Sequence, residues 1–427
     1  MIPSRFGPAA WLLALAVVPP LGASAAEGVY EPVPLKRQEA DALIASADEL
    51  HEQFVKRSLL VTDPTVTDLV QRVGRSLAPK PGDAYVDYRF FVLRDPSPNA
   101  FALPNGRVYI HTGMLARLES EDELAAVLAH EINHTAGHHS IIEYRTQGRR
   151  IWINLVVGDL ASLLTQLHYS RELEQEADDK APARMLEAGY DPHAMPVVLE
   201  RLTQDFEGLN PRIPSVWSTH PDPEQRVASS RAVVAALASH AESGGRRPED
   251  FERAMLPLKK LTVRDYIQDD YPYTAIALSQ TMLERHPNDL DVEMLLGDAW
   301  KALGARAEFA PEDFTTRDRR RNALRRVFKT REERAAAGLE TPEGREAYAR
   351  NLAQAETVYR GILEADPAYA PARRGLGEVF EARGAHRDAA RAYIDYLKLA
   401  PDAADRVVVL DRLGRLRDEL RQEEGNP

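Results

Sequence analysis

Hydrophobic positions recur at helical spacing along most of this chain, and the breaks in that rhythm mark its elements. Over residues 41–77 the apolar positions fall three to four apart, with Pro64 between two such runs, which predicts two helices. Residues 86–93 are β-branched and aromatic and predict a strand. Pro104-Asn105-Gly106 predicts a turn, and residues 107–111 alternate as a second strand able to share a sheet with the first. Ser120 and Glu123 form a capping box ahead of a helix expected to reach about Gly137. Further helices are expected over 170–188 and 195–206. The apolar stretch 151–164, broken by Asn154, Gly158 and Asp159, reads as a buried or substrate-facing helix.

The pattern changes after residues 243–248, a Ser-Gly-Gly-Arg-Arg-Pro stretch that reads as a linker. Beyond it the chain is helical and repetitive. Leu376-Gly377, Phe380, Ala389, Tyr393 and Pro401 fall where a 34-residue tetratricopeptide repeat wants them, and Pro367 closes an earlier unit with Ala355 and Tyr359. Ala275 and Pro287 repeat the pattern more weakly, with Ser279 where an aromatic is usual. Leu296-Gly297 and Trp300 supply a first helix whose partner is displaced by an insertion of about 46 residues. The insertion, near 305–350, holds Arg317, Arg319, Arg320, Arg321, Arg325 and Arg326. It reads as a solvated basic helix, with docking of an acidic partner as the alternative.

At the other end, Arg5, the apolar run 9–18, Pro19, Pro20 and the small residues 23–26 have the layout of a secretory signal peptide. The run is shorter than the roughly 20 residues a spanning helix needs. Residues 1–26 are therefore expected to be removed on export, with residues 27–243 as one domain and 251–420 as a second. No later segment predicts a transmembrane span. The 427 residues include no cysteine, which excludes disulfides, thiol catalysis and Fe–S clusters, so any transition metal must be held by His, Asp or Glu. A net charge of −12 weighs against nucleic acid as a partner.

The chemistry concentrates at His130-Glu131-Ile132-Asn133-His134. Histidines four apart share one helix face and can reach one ion, while Glu131 sits 100° round from His130, placed to act as a base on water at the metal. With 12 histidines in the chain the pattern is expected by chance only about 0.03 times. A catalytic zinc site needs a third protein ligand. On a helix through residues 172–185, Glu174 lines up with Asp178, Ala181 and Met185, whereas Glu172 and Glu176 fall on the opposite side. Glu174 is the expected ligand, and Asp178, one turn on, an acceptor that orients a ligand histidine. Glu172, Glu176 and Asp179 read as a solvated acidic face. His138 and His139 are read as non-ligands, and His111 and His168 as ordinary packing or surface residues.

Together with residues 99–106, Ser170-Arg171, Ser218-Thr219-His220-Pro221 and Arg226, this motif set resembles the M48 metallopeptidases, in a bacterial periplasmic form carrying a tetratricopeptide tail. The resemblance covers most of residues 35–425. It implies an α+β fold: a mostly helical, zincin-like (gluzincin) peptidase domain with a small β-sheet, followed by an all-α repeat domain. It implies one Zn2+ per chain on His130, His134 and Glu174, with Glu131 as catalytic base and Asp178 supporting. His220 and Arg226 match a pair near the metal, where the histidine either stabilises the oxyanion or fills the fourth zinc position and Arg226 is a second oxyanion candidate. Asn105 stands where a glycine is usual, in a left-handed backbone position that asparagine tolerates, and Pro182 should kink the Glu174 helix. The implied activity is zinc-dependent endopeptidase action in the periplasm on misfolded or stalled envelope and outer-membrane proteins, with residues 107–111 pairing with an extended substrate. The repeats are expected to hold substrate or the outer-membrane assembly machinery. The rival reading is a repeat-based chaperone or scaffold with a latent protease site, against which the intact Glu131 argues.

Overall fold

A computed structural model describes residues 37–80, 86–147, 169–208, 220, 223–237, 248–304 and 341–425. The expected signal peptide, the apolar stretch 151–164, His168, residues 243–247 of the linker and the arginines of the insertion lie outside the described residues.

The first half is a helical shell around a three-stranded sheet. Helix α1 (Arg37–Lys56) and α2 (Pro64–Leu77) precede β1 (Arg89–Leu93), β2 (Ala100–Ala102) and β3 (Arg107–His111). Strand order is β1-β3-β2, with β1 parallel and β2 antiparallel to β3. Side chains alternate between two cores, as a pleated strand requires. Phe90, Val92, Val108 and Ile110 join α2 and the motif helix on one face. Leu93, Phe101 and Tyr109 meet Leu43, Ala47, Leu50 and Phe54 of α1 on the other.

Two sequence expectations are corrected here. Strand β3 is central, paired on both sides, so it has no free edge for an extended substrate; the short β2, which the sequence pattern did not reveal, is an edge strand. Asn105 does not adopt a left-handed backbone either. Gly106 does, at φ 89°, and Asn105 Nδ2 instead donates to Asp48 Oδ1 (3.1 Å).

A short α3 (Thr112–Leu115) leads to α4 (Glu121–Ala136), N-capped by Ser120, whose hydroxyl accepts from Glu123 N at 3.2 Å. Glu123 reaches back one residue beyond the cap, accepting from Glu119 N (2.7 Å) and not from Ser120 N as a reciprocal box would have it. Then come α5 (His139–Gln147), α6 (Arg171–Glu187), α7 (Ala194–Gly208) and α8 (Pro223–Leu237). Helix α6 carries Pro182 in its interior and still runs to Glu187.

The remaining helices are α9 (Pro248–Gln268), α10 (Pro272–Arg285), α11 (Leu290–Gly304), α12 (Pro342–Ala365), α13 (Ala370–Ala382), α14 (His386–Leu399) and α15 (Arg406–Gly425). Each packs on the next, and α11 packs on α12 across residues 305–341. The Tyr359 ring of α12 lies so close to Gly297 of α11 that a Cβ there would be 2.5 Å from it; Tyr393 of α14 meets Gly377 of α13 in the same way. The described residues from Arg37 onward belong to one compact unit. Helix α9 is why. Phe251, Met255 and Leu258 enter the first-half core, while Val263 and Tyr266 pack with α10 and α11. Asp265 accepts twice from Arg94 (2.7 and 3.0 Å), and the Tyr266 hydroxyl donates to the Pro96 carbonyl (2.5 Å). No described helix is long and apolar enough to cross a membrane.

Candidate metal centre

The centre is assembled from three helices and one loop residue. The small and apolar residues Ala125, Ala126, Leu128, Ala129 and Ile132 bury α4 on every side, so both motif histidines and Glu131 are held inside the protein. Helix α6 faces α4 through Glu174, Ala177, Asp178 and Ala181, the side chosen by helix geometry. Asn133 Nδ2 donates to the Ala177 carbonyl (2.9 Å) and Arg184 Nε to Asn133 Oδ1 (2.8 Å), which fixes the two helices in register. His220 arrives just before α8, and Arg226 from within it.

One ligand atom from each of His130, His134, Glu174 and His220 lies within 4.8 Å of the other three, and all four residues are buried. His130 Nε2 is 2.9 Å from His134 Nε2 and 3.4 Å from His220 Nδ1. Glu174 Oε1 is 3.4 Å from His134 Nε2 and 2.8 Å from His220 Nδ1. Tetrahedral zinc with bonds near 2.0–2.1 Å separates its ligands by about 3.3 Å, so this set is of the right size. Charge agrees. Three buried carboxylates, Glu131, Glu174 and Asp178, face one buried guanidinium, Arg226, an excess of negative charge that a divalent cation offsets. The Glu131 Oε2 atom is buried and has no hydrogen-bond partner among the described residues.

The surroundings hold these groups in place. Asp178 Oδ1 is 2.9 Å from His130 Nδ1, so Pro182 does not carry Asp178 away from the site. Arg226 grips Asp178 through Nε (2.7 Å) and Nη2 (2.9 Å), while Nη1 reaches Glu174 Oε2 (3.1 Å) and the His220 carbonyl (3.2 Å). Burial pushes the Asp178 carboxyl up, but Arg226 and His130 outweigh it and hold it well below the usual carboxylate range. Glu174 is lowered in the same way, with burial overcome by His220 and Arg226. Glu131 behaves oppositely: burial dominates and raises its pKa against the pull of His220 and His130. Burial also lowers His134.

All seven residues singled out from the sequence meet here. Glu172 is exposed, as its helix position predicts, but Glu176 is only half-buried acidic surface: its Oε2 is 3.7 Å from His139 Nε2. The sequence reading missed two residues. Tyr169 stacks on His134 with centroids 3.9 Å apart. His139, dismissed as a non-ligand, is buried with its Nδ1 2.9 Å from His134 Nδ1. Its position five residues after His134 was the available signal, hidden because a straight helix would point it elsewhere.

Comparison with known proteins places this geometry. Residues 64–234 match peptidase family M48. The Vibrio cholerae protein provisionally named beta-barrel assembly-enhancing protease is 32% identical over 193 residues, 40% of this chain and 40% of that one. The beta-barrel assembly-enhancing protease of Escherichia coli strain K12 is 29% identical over 194 residues, 40% and 39% of the two chains. The mitochondrial metalloendopeptidase OMA1 of Schizosaccharomyces pombe is 33% identical over 203 residues, 45% of this chain and 58% of the other. The matches to the two bacterial proteins thus span about two fifths of their length.

Proposed function

Because residues 64–234 are a peptidase family M48 domain, we propose that this chain is a zinc-dependent endopeptidase of the periplasm that degrades misfolded or stalled envelope proteins. The observation that carries the reading is Glu131, buried with a free carboxylate oxygen beside a four-residue ligand set. The nitrogen-rich donors with one carboxylate suit zinc, held by His130, His134 and Glu174. Zinc held there would supply a water of lowered pKa, towards about 7, and a Lewis acid for the scissile carbonyl.

The residues of the chain then divide the work. Glu131 takes the proton of the attacking water and returns it to the leaving nitrogen; its raised pKa suits a group that must both accept and give. His220, whose Nδ1 lies among the ligand atoms, would restrain the resting site by standing where the attacking water must sit. Arg226 is a poor oxyanion donor, because its nitrogens already bind Asp178, Glu174 and the His220 carbonyl. It acts by positioning them.

Substrate selection follows from the walls. A pocket beside Glu131 is lined by Met114, Val127, Met195, Val198, Leu199 and Leu202, with Ala100 of β2 at its margin. The side chains around it are apolar, so an apolar group next to the scissile bond would meet an apolar wall. A folded protein offers neither an extended backbone nor a free apolar side chain, so an unfolded segment is the substrate such a site would take. The helices beyond α9 would hold the substrate or an outer-membrane assembly partner.

The deciding comparison is wild type against Glu131→Gln on an unfolded outer-membrane protein, with products identified by mass spectrometry. Cleavage by the first alone is expected. Binding without cleavage by zinc-loaded wild type would favour the rival reading, a repeat-based chaperone or scaffold.

A further inference from the structure

The turn after α4 brings a third histidine behind the motif. Gly137 caps α4, His138 takes a left-handed φ of 53°, and α5 begins at His139. The chain doubles back, and the His139 ring returns to the last turn of α4, Nδ1 to Nδ1 with His134 at 2.9 Å. The approach depends on Gly137, where a Cβ would lie 2.3 Å from His139 Nε2 and 2.6 Å from its Cδ2. On the far side, Glu176 Oε2 stands 3.7 Å from His139 Nε2, while Lys180 Nζ donates to Glu176 Oε1 at 2.5 Å.

Proton placement gives this pair a direction. His134 offers Nε2 to an ion only as the tautomer protonated at Nδ1. That N–H needs an acceptor, and His139 Nδ1 is the atom in place. A neutral His139 then carries its own proton on Nε2, on the side of the Glu176 carboxylate. We infer that His139 is a positioning residue of the metal centre: it accepts from His134 Nδ1–H and locks the tautomer and ring angle that present His134 Nε2 to the ion. On the other motif histidine, Asp178 Oδ1 stands 2.9 Å from His130 Nδ1. The inference rests on the zinc reading above and concerns ligand orientation, not the peptidase reaction.

The test is zinc affinity of the purified chain, by competition with a chelating indicator, for wild type, His139→Leu, His139→Asn and Gly137→Ala. Leucine fills space without an acceptor, asparagine restores an oxygen near the ring Nδ1, and the methyl group added in Gly137→Ala pushes the ring aside. His139→Leu and Gly137→Ala should bind zinc about 10- to 100-fold more weakly. His139→Asn should stay close to wild type, and all four should melt alike once zinc is stripped, which a merely structural role would not produce. Wild-type affinity in His139→Leu overturns the inference, as does an equal loss in His139→Asn. Should His139→Leu fail to fold, wild-type affinity in Gly137→Ala overturns it. A wild type that holds zinc yet cleaves nothing sinks the peptidase reading and leaves this inference standing; a wild type that holds no zinc sinks both.

Discussion

At the scale of single residues, the centre is a set of buried charges that tolerate each other only as a group. Removing one carboxylate therefore has a specific signature. Glu174→Ala should lose the metal and Glu172→Ala should keep it, read by metal analysis of the purified chain; the opposite result would move the ligand to another carboxylate. Glu131→Gln should keep the metal and lose about 10²–10⁴-fold in cleavage rate, the range for removing a general base. His220 Nδ1 lies among the ligand atoms, 2.8 Å from Glu174 Oε1. If it restrains the resting enzyme, His220→Ala should cut a short model peptide faster than wild type. A much slower variant with normal metal content would assign the histidine to the oxyanion alone.

At the scale of elements, one aspartate ties the sheet to the site. Asp95, between β1 and β2, accepts from Ser97 N (2.8 Å) through Oδ1, with His111 Nδ1 3.5 Å from the same oxygen. Its carbonyl accepts from Gly113 N (3.0 Å) and Thr112 Oγ1 (2.9 Å) at the start of α3. Burial pushes the Asp95 carboxyl up, but His111 and Ser97 prevail and hold it well below its ordinary value. A carboxylate lowered on folding contributes stability that is complete above its unfolded pKa, about 3.9, and is lost as the pH falls from there through the folded value. Asp95→Asn should thus cost about 1–3 kcal/mol at pH 7, and its melting temperature should approach that of wild type only as the pH falls from about 4 towards the much lower folded value. A gap independent of pH would show that the Asp95 charge contributes nothing.

For the whole molecule, the joint between the halves is a shared helix. The sequence placed a domain boundary at residues 243–248, but Phe251, Met255 and Leu258 of α9 lie in the core that carries the motif helix. Each buried apolar side chain of that size contributes roughly 2 kcal/mol. A chain ending at Gly244 should therefore be unstable, whereas one ending after Gln268 should fold, bind metal and cut a short flexible peptide near the wild-type rate. If the remaining helices hold substrate as proposed, raising its effective concentration without altering the site, the longer truncation should lose most cleavage of an unfolded outer-membrane protein. Thermal melts and parallel assays on the two substrates check both statements. Equal loss on both substrates, in a folded and metal-loaded chain, would mean that the later helices complete the site.

The sequence by itself determined what depends on local geometry. Residues four apart on a helix share a face wherever that helix lies, so His130 with His134 and Glu174 with Asp178 were legible at once, as was the Ser120 cap that starts α4. Close approach also leaves a local trace: Leu296-Gly297 and Leu376-Gly377 mark the helix faces onto which Tyr359 and Tyr393 pack. Tertiary structure decided what depends on distant segments meeting. The three residues of β2 are too few to carry a period, and only pairing with β3 makes them a strand. His139 gained its neighbour from a left-handed turn, Arg226 lost its free nitrogens to carboxylates about fifty residues earlier, and α9 joined a core that its position after a Gly-rich linker did not suggest. Each reflects a through-space contact whose energy comes from burial and charge pairing, and no periodicity along the chain encodes it.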